Sequence, residues 1–397
     1  MATFGAMSWR QVPPVGTPVW LAKGGEQSVH AEFGVAGYHC GYYQSGTAAL
    51  AQAIKLSLAA QTAPSQRDVI LPGYGCPDLV AACVYAGANP VIIDIAADKY
   101  TFDLAQVEKY ASDAAAIVCP SLLGICMPIA QIKDALPDNT KIIEDDAQWF
   151  PEADTTEGRR HNLDNLCDYQ LPRDCTDSDF ILTSFGRGKP VNLLGGGMLL
   201  SRIPQAQQTI AEPVSTPMSY RLKSKVFNAL MNPLLYGALV RLPGLDLGST
   251  NYHALDKIAP IEKFKRPLIP AAIRRYLNMP MATANTYSDV GDCAWADQSR
   301  RLLRLPLLVD NIKTRNKLVT KCIQQGISAT AMYQKALHDV PGVATLVKLP
   351  AATPVSQRLA ATLVTLPTHA GVTEKHKALM HNIVKEFKLR LTDKVAL

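Results

Sequence analysis

Between residues 45 and 201, short apolar runs alternate with stretches whose apolar residues recur at helical spacing. The runs are VILP (69–72), PVIIDI (90–95), AAIVC (115–119), KIIE (141–144), DFILT (179–183) and GMLL (197–200). Segments 48–60, 78–86 and 104–111 carry the helical pattern between them. Strands that are apolar throughout, rather than alternating, are buried on both faces. The pattern therefore predicts an α/β fold, a mostly parallel central sheet covered by helices. Ligands of such sheets bind beyond the carboxyl ends of the strands, so the residues that follow each run are where chemistry is sought.

Two later regions depart from this rhythm. Residues 205–283 hold eight prolines and a helix-like stretch, VFNALMNPLLYGALV (226–240). From about residue 305, helical segments 309–324 and 373–388 flank the apolar run ATLVTLP, as a small α+β domain would. A chain of 397 residues is long for a single core, and one large domain followed by a smaller one is expected, divided at 300/301.

Composition changes this picture little. Apolar residues make up 48% and charged residues 19%, ordinary for a soluble globular protein. The nine cysteines lie apart with no CxxC pair, and several sit in apolar runs, which suits a reduced, cytoplasmic protein. The start, MATFGAMSWRQVPP, shows no secretory signal pattern. No nucleic-acid partner is expected. Charge matters more: residues 205–283 carry ten Lys and Arg against four Asp and Glu, a net +6 that equals the charge of the whole chain.

Four strand-end elements could carry chemistry. In SFGRGKPVNLLGGGML, Lys189 follows the run DFILT and Ser184, and precedes three glycines. A desolvated lysine can form a Schiff base with an aldehyde cofactor, and Ser184 could donate to a phosphate; from this motif alone a surface lysine in a Gly-rich turn is the preferred reading. In KIIEDDAQ, Asp145 is placed to hold a protonated ring nitrogen, with Gln148 to bond a ring oxygen. The plain alternative is a solvated or metal-binding acidic turn, and an Asp pair with no nearby His or Cys is a weak metal site, so no metal is assigned. In YYQSGTAAL, Gly46, Thr47 and Ala48 open a helix whose first N–H groups make an anion site, unless Ser45 or Thr47 simply caps it. In LPGYGCPDLV, Tyr74 could stack on a cofactor ring or pack beneath a loop.

Taken in order, these elements resemble the fold type I pyridoxal-phosphate (PLP) enzymes, and in particular the DegT/StrS-type sugar aminotransferases. The resemblance extends through NTYSDVGDCAWADQ, SATAMYQKALHDVP and LVTLPTHAGVTEKH, nearly the whole chain except 205–283. It implies a PLP-binding domain over 1–300, a C-terminal domain over 301–397, and a homodimer with shared active sites. By the same resemblance Lys189 forms the Schiff base and shuttles protons, and Asp145 pairs with the pyridinium. Gln148 then contacts the ring oxygen, while Thr47, Ala48 and Ser184 hold the phosphate. Glutamate would be the amino donor and a nucleotide-linked ketosugar the acceptor. Relatives that dehydrate sugars typically lack the lysine, so Lys189 disfavours a dehydratase; a non-catalytic PLP-binding regulatory protein is the rival outside enzymology.

The sequence departs from the family in two places. Cys76 occupies the position where an aromatic commonly follows the strand-end proline, with Tyr74 two places earlier. The arginine of the usual Asn-Tyr-Arg is absent before Ser288. Asn285 stands in for the asparagine one place out of register, and Arg187 is the candidate for a donor carboxylate. Residues 205–283 read either as a helical cover on the subunit or its partner, or as a surface that contacts anionic membrane. On the second reading, loss of Lys263, Lys265 and Arg266 should weaken the contact.

Overall fold

The computed structural model describes residues 8–21, 33–152, 166, 169–171, 175, 177–205, 215–242, 250–291, 295 and 300–387. Each apolar run becomes a strand: β2 (Asp68–Pro72), β3 (Asn89–Ile93), β4 (Ala114–Pro120), β5 (Lys141–Asp145), β6 (Phe180–Ser184) and β7 (Gly197–Ser201). They join β1 (His39–Tyr43), which the sequence reading did not pick out, in one sheet of order β1-β7-β6-β5-β4-β2-β3. The five strands β3, β2, β4, β5 and β6 run parallel, and β7 runs antiparallel to both of its neighbours.

Burial on both faces explains the unbroken apolar runs. Val69 and Leu71 of β2 pack on one side with α1 (Gly46–Ala59) and α2 (Asp78–Ala86). Ile70 between them packs on the other side, above α3 (Leu104–Tyr110) and α4 (Ile129–Asp134). Small residues line α1, where Ala48, Ala49, Ala51 and Ala53 are buried, so the helix lies close on the sheet. Gly197 has the same use: a Cβ there would stand 2.5 Å from the Ser45 carbonyl oxygen.

Residues 205–283 have two parts. The first is a helix pair, α5 (Met218–Leu230) and α6 (Pro233–Leu239). The apolar stretch 226–240 breaks there because Asn232 caps the second helix, accepting from Leu234 N at 3.0 Å, and Pro233 takes its first position. The second part, which includes α7 (Ile269–Leu277), belongs to the core: Ile261, Leu268, Ile269, Ile273 and Tyr276 are buried with Ile181, Met198 and Leu200 of β6 and β7. This corrects the choice of cations made from sequence. Lys265 is 5% exposed, pairs with Glu262 at 2.6 Å and reaches the Gly195 carbonyl at 3.3 Å, and Arg266 lies over the Tyr42 ring. Lys265 is thus turned inward and Arg266 is half-buried, while Lys263 is exposed. Segments 206–214 and 243–249 lie outside the described residues.

The remaining chain forms a second unit in which β8 (Arg304–Leu308) pairs antiparallel with β9 (Leu363–Pro367) beside α8 (Ile312–Gln324), α9 (Pro354–Thr362) and α10 (Glu374–Glu386). The N-terminal residues attach to this unit, with Ser8 N bonded to Gln324 O at 3.0 Å and Val12 N to Gly326 O at 2.8 Å. One apolar cluster, including Ile70, Ile117, Leu305 and Leu366, runs from the large sheet into the second unit.

Candidate active site

The carboxyl ends of β2, β4, β5 and β6 and the start of α1 surround a cavity of about 250 Å³. Strand direction brings these residues together: Cys76 follows β2, Pro120 ends β4 and Ser121 follows it, Asp145 ends β5 and Gln148 follows it, and Ser184 ends β6 with Gly186 and Lys189 beyond. Gly46 and Thr47 contribute from the first turn of α1. Six residues picked out from sequence thus meet in one place: Gly46, Thr47, Asp145, Gln148, Ser184 and Lys189.

The loop that carries Lys189 is held on both sides. Lys189 N bonds Gly186 O at 3.3 Å, closing a turn in which Gly188 has φ +73°, a conformation that favours glycine. Further along, the Tyr220 hydroxyl of α5 donates to Leu193 O at 3.1 Å and the Lys265 ammonium to Gly195 O. Part of the 205–283 segment therefore buttresses the lysine loop.

Asp145 Oδ1 accepts from Ala147 N at 3.0 Å. Burial raises its pKa, the Lys189 ammonium and the Ala147 N–H pull it back, and the nearby Asp78 pushes it up. Asp146 points away, because neighbouring residues in a strand face opposite sides of the sheet. Its Oδ1 accepts from Ser121 Oγ at 2.6 Å, and burial together with Glu144 holds its carboxyl well above the usual range. Glu144, Asp146 and Cys175 place ligand atoms within 4.8 Å of one another, a spacing that could hold a metal. Ser121 and Ser178 donate to the two carboxyls, and the second oxygen of Asp146, Oδ2, is buried with no hydrogen-bond partner.

Gln148 is oriented by two bonds. Its Oε1 accepts from Leu123 N at 3.1 Å and its Nε2 donates to the Tyr333 hydroxyl at 2.9 Å, so the N–H end serves the cavity. Tyr333, from the loop before α9, and Tyr100, from the loop after β3, line the cavity and were missed from sequence. Tyr100 sits just beyond an apolar run, a signal that could have found it; nothing local marks Tyr333.

The other sequence candidates lie elsewhere. Tyr74 is fully buried outside the cavity lining, its hydroxyl donating to the carbonyls of Met332 and Tyr333 and its ring edge-on to Tyr333 at 5.7 Å. Cys76 lines the cavity instead, its thiol pushed up to about 12 by burial and by Asp78. Ala48 is buried, and its N–H is taken by Ser45 Oγ at 3.1 Å, so Ser45 caps α1. Asn285, in a short 3-10 turn, and Arg187 are both exposed and outside the lining. The stretch after Gly291 is described only at Trp295 before residue 300.

The side chains present suit a phosphorylated pyridine aldehyde. Lys189 and Asp145 face each other electrostatically across the cavity, and Thr47 and Ser184 offer hydroxyls beside a helix start. A Cβ on Gly46 would come within 2.8 Å of Ser184 Cβ, so glycine leaves room there. One bond has to be exchanged: Thr47 Oγ1 donates to Asp78 Oδ2 at 3.1 Å, and a phosphate taking that hydroxyl displaces the carboxylate.

Comparison with known proteins adds the following. The model of the DegT/DnrJ/EryC1/StrS aminotransferase family matches residues 15–385. No curated protein matches the sequence. Among solved structures, a DegT/DnrJ/EryC1/StrS aminotransferase from Brucella abortus is 18% identical with a TM-score of 0.58, covering 88% of this chain and 86% of its own. A sugar aminotransferase from Micromonospora echinospora is 14% identical, TM-score 0.61, covering 95% of this chain and 100% of its own. The Streptococcus pneumoniae protein Spr1654, in its PLP form, is 15% identical, TM-score 0.62, covering 95% and 99%. At these identities the likeness is one of fold.

Proposed function

The chain belongs to the DegT/DnrJ/EryC1/StrS aminotransferase family, an enzyme family that uses PLP, and from that premise we propose that it aminates a nucleotide-linked ketosugar with glutamate as donor. The observation that carries the reading is the meeting of Lys189, Asp145, Gln148, Ser184 and Thr47 around one cavity. When bound, PLP supplies an electron sink for the carbon that loses its proton. In this proposal Lys189 is the covalent anchor. Its Nζ, once free, would move the proton at the donor α-carbon and return one on the acceptor side. Asp145, as a carboxylate, keeps a proton on the ring nitrogen. Gln148, whose carbonyl end is held by Leu123 N and whose Nε2 already donates to Tyr333, would offer its other N–H to the ring oxygen. Thr47 and Ser184 would take the phosphate beside the start of α1, and Tyr100 and Tyr333 line the same cavity.

The same proposal covers the assembly. A homodimer with shared sites gives the exposed Asn285 and Arg187 a use, the first toward a partner subunit and the second toward a donor carboxylate. Cytoplasmic residence is proposed on the same footing, since Cys76, Cys83, Cys119, Cys126 and Cys322 form no disulfide. Among the described residues no helix is long and apolar enough to cross a membrane.

The test uses nitrogen-15 glutamate, the PLP-loaded enzyme and a panel of nucleotide-linked ketosugars, read by mass spectrometry. Transfer of the label to a sugar, with 2-oxoglutarate released, is expected. Loss of water from the sugar without nitrogen gain points to a dehydratase. Cofactor binding with no response to any donor points to a regulatory PLP-binding protein.

A further inference from the structure

The outward face of α5 and α6 stands apart from the catalytic assignment. Six of the ten large apolar side chains exposed among the described residues lie on this helix pair or just after it: Met218, Leu222, Val226, Leu234, Leu235 and Leu242. Soluble surfaces scatter such residues singly, and a cluster marks a place of contact. Met218, Leu222 and Val226 are four residues apart and so form a single stripe, 78%, 61% and 51% exposed.

The helix cannot roll to bury that stripe. Its opposite face is fixed by the Tyr220 hydroxyl on Leu193 O and by Asn228, whose amide bonds Val19 at both backbone N (2.8 Å) and O (2.9 Å). Ser224 is fully buried on the same inner side. The leucines face outward because the polar anchors face inward.

Charge selects the occupant. Residues 215–242 contain Arg221, Lys223, Lys225 and Arg241 and no Asp or Glu. Arg221 and Lys225 flank one edge of the stripe and Lys223 the other, all three exposed. Arg221 and Lys225 also line a groove of about 230 Å³ whose other walls include Met218, Leu222, Leu21 and Leu268. Apolar side chains among cations, with no acid between them, complement a layer that presents phosphates above hydrocarbon. A second copy of this chain fits worse, since a two-fold contact sets each face against itself and brings like charges together.

We propose that the α5–α6 face docks on the surface of an anionic phospholipid bilayer, with Met218, Leu222 and Val226 entering the headgroup layer and Arg221, Lys223 and Lys225 on lipid phosphates. Flotation of the PLP-loaded protein with phosphatidylcholine vesicles, and with mixed phosphatidylcholine–phosphatidylglycerol vesicles, tests it at low and high salt. The protein should float with the mixed vesicles only, and salt should release it. The Arg221→Gln/Lys223→Gln/Lys225→Gln and Leu222→Ser/Val226→Ser variants should each bind on the order of tenfold more weakly. Both should keep the cofactor absorbance and the wild-type mass by light scattering. Absence of flotation at low salt would overturn the proposal, as would variants that float like the wild type. A fall in mass for the Leu222→Ser/Val226→Ser variant would assign the face to a second subunit instead.

Discussion

Asp145 and Asp146 differ by one place in the chain and by a whole side of the sheet. The alternation of a strand turns Asp145 toward Lys189 and buries Asp146 against Ser121 and Glu144. Asp145→Asn should therefore slow amino transfer on the order of a hundredfold with cofactor still bound, because a neutral amide cannot hold the ring nitrogen protonated. Asp146→Asn should leave the rate within a few fold and show itself in stability. The buried Asp146 keeps its proton at a pH where the unfolded chain has released it, so its contribution is complete below the ordinary carboxylate range and is lost as pH rises toward the raised value. The variant should gain in melting temperature over the wild type as pH goes from about 4 to about 7. Equal rate losses at both positions would contradict this division of roles. The strand end made Asp145 readable from sequence. Tyr74 was not readable in the same way, since a Pro/Gly turn gives no period to tell an inward from an outward side chain. Tyr333 is further from reach still, brought in from a distant loop by its bond to Gln148.

Elements buried on both faces were the most legible. The six apolar runs marked β2 to β7 because strands covered on both faces are apolar throughout, whereas β1 (HCGYY) opens on an exposed His39 and a half-buried Cys40 and carries no such run. What joins the large sheet to the second unit has no such signature. Asp94, just beyond β3, accepts from Val355 N and Ser356 N at 2.9 Å and from Ser356 Oγ at 2.6 Å, capping α9 from across the molecule. It also accepts from Ile95 N at 2.9 Å, and it is 3% exposed. Removing it orphans several buried donors at once. Asp94→Ala should cost about 3 kcal/mol, and Asp94→Asn, which keeps one acceptor, about half of that. Chemical denaturation measures both; a midpoint unchanged in Asp94→Ala would mean that α9 is held by other contacts.

At the scale of the whole molecule, the order of motifs told more than any motif alone, since each had a bland reading and only their succession pointed to one family. The fold then gathers them by topology: four parallel strands end at one edge, and every strand-end candidate except Ala48, Tyr74 and Arg187 lies on the cavity there. Residues 205–283 were legible as charge and as an interruption, but not as two parts, because the core packing of α7 comes from contacts distant in sequence. A division at 300/301 into a cofactor domain and a C-terminal domain is proposed on the same footing, with residues 8–13 seated on the second unit. In the proposed function this cavity anchors PLP through Lys189. Reduction of the PLP-loaded protein with borohydride, followed by proteolysis and mass spectrometry, tests it most directly. A phosphopyridoxyl group is expected on the peptide that contains Lys189, and none on that peptide in Lys189→Ala. A reduced cofactor carried by another lysine, or a bound cofactor that borohydride attaches to none, would contradict it.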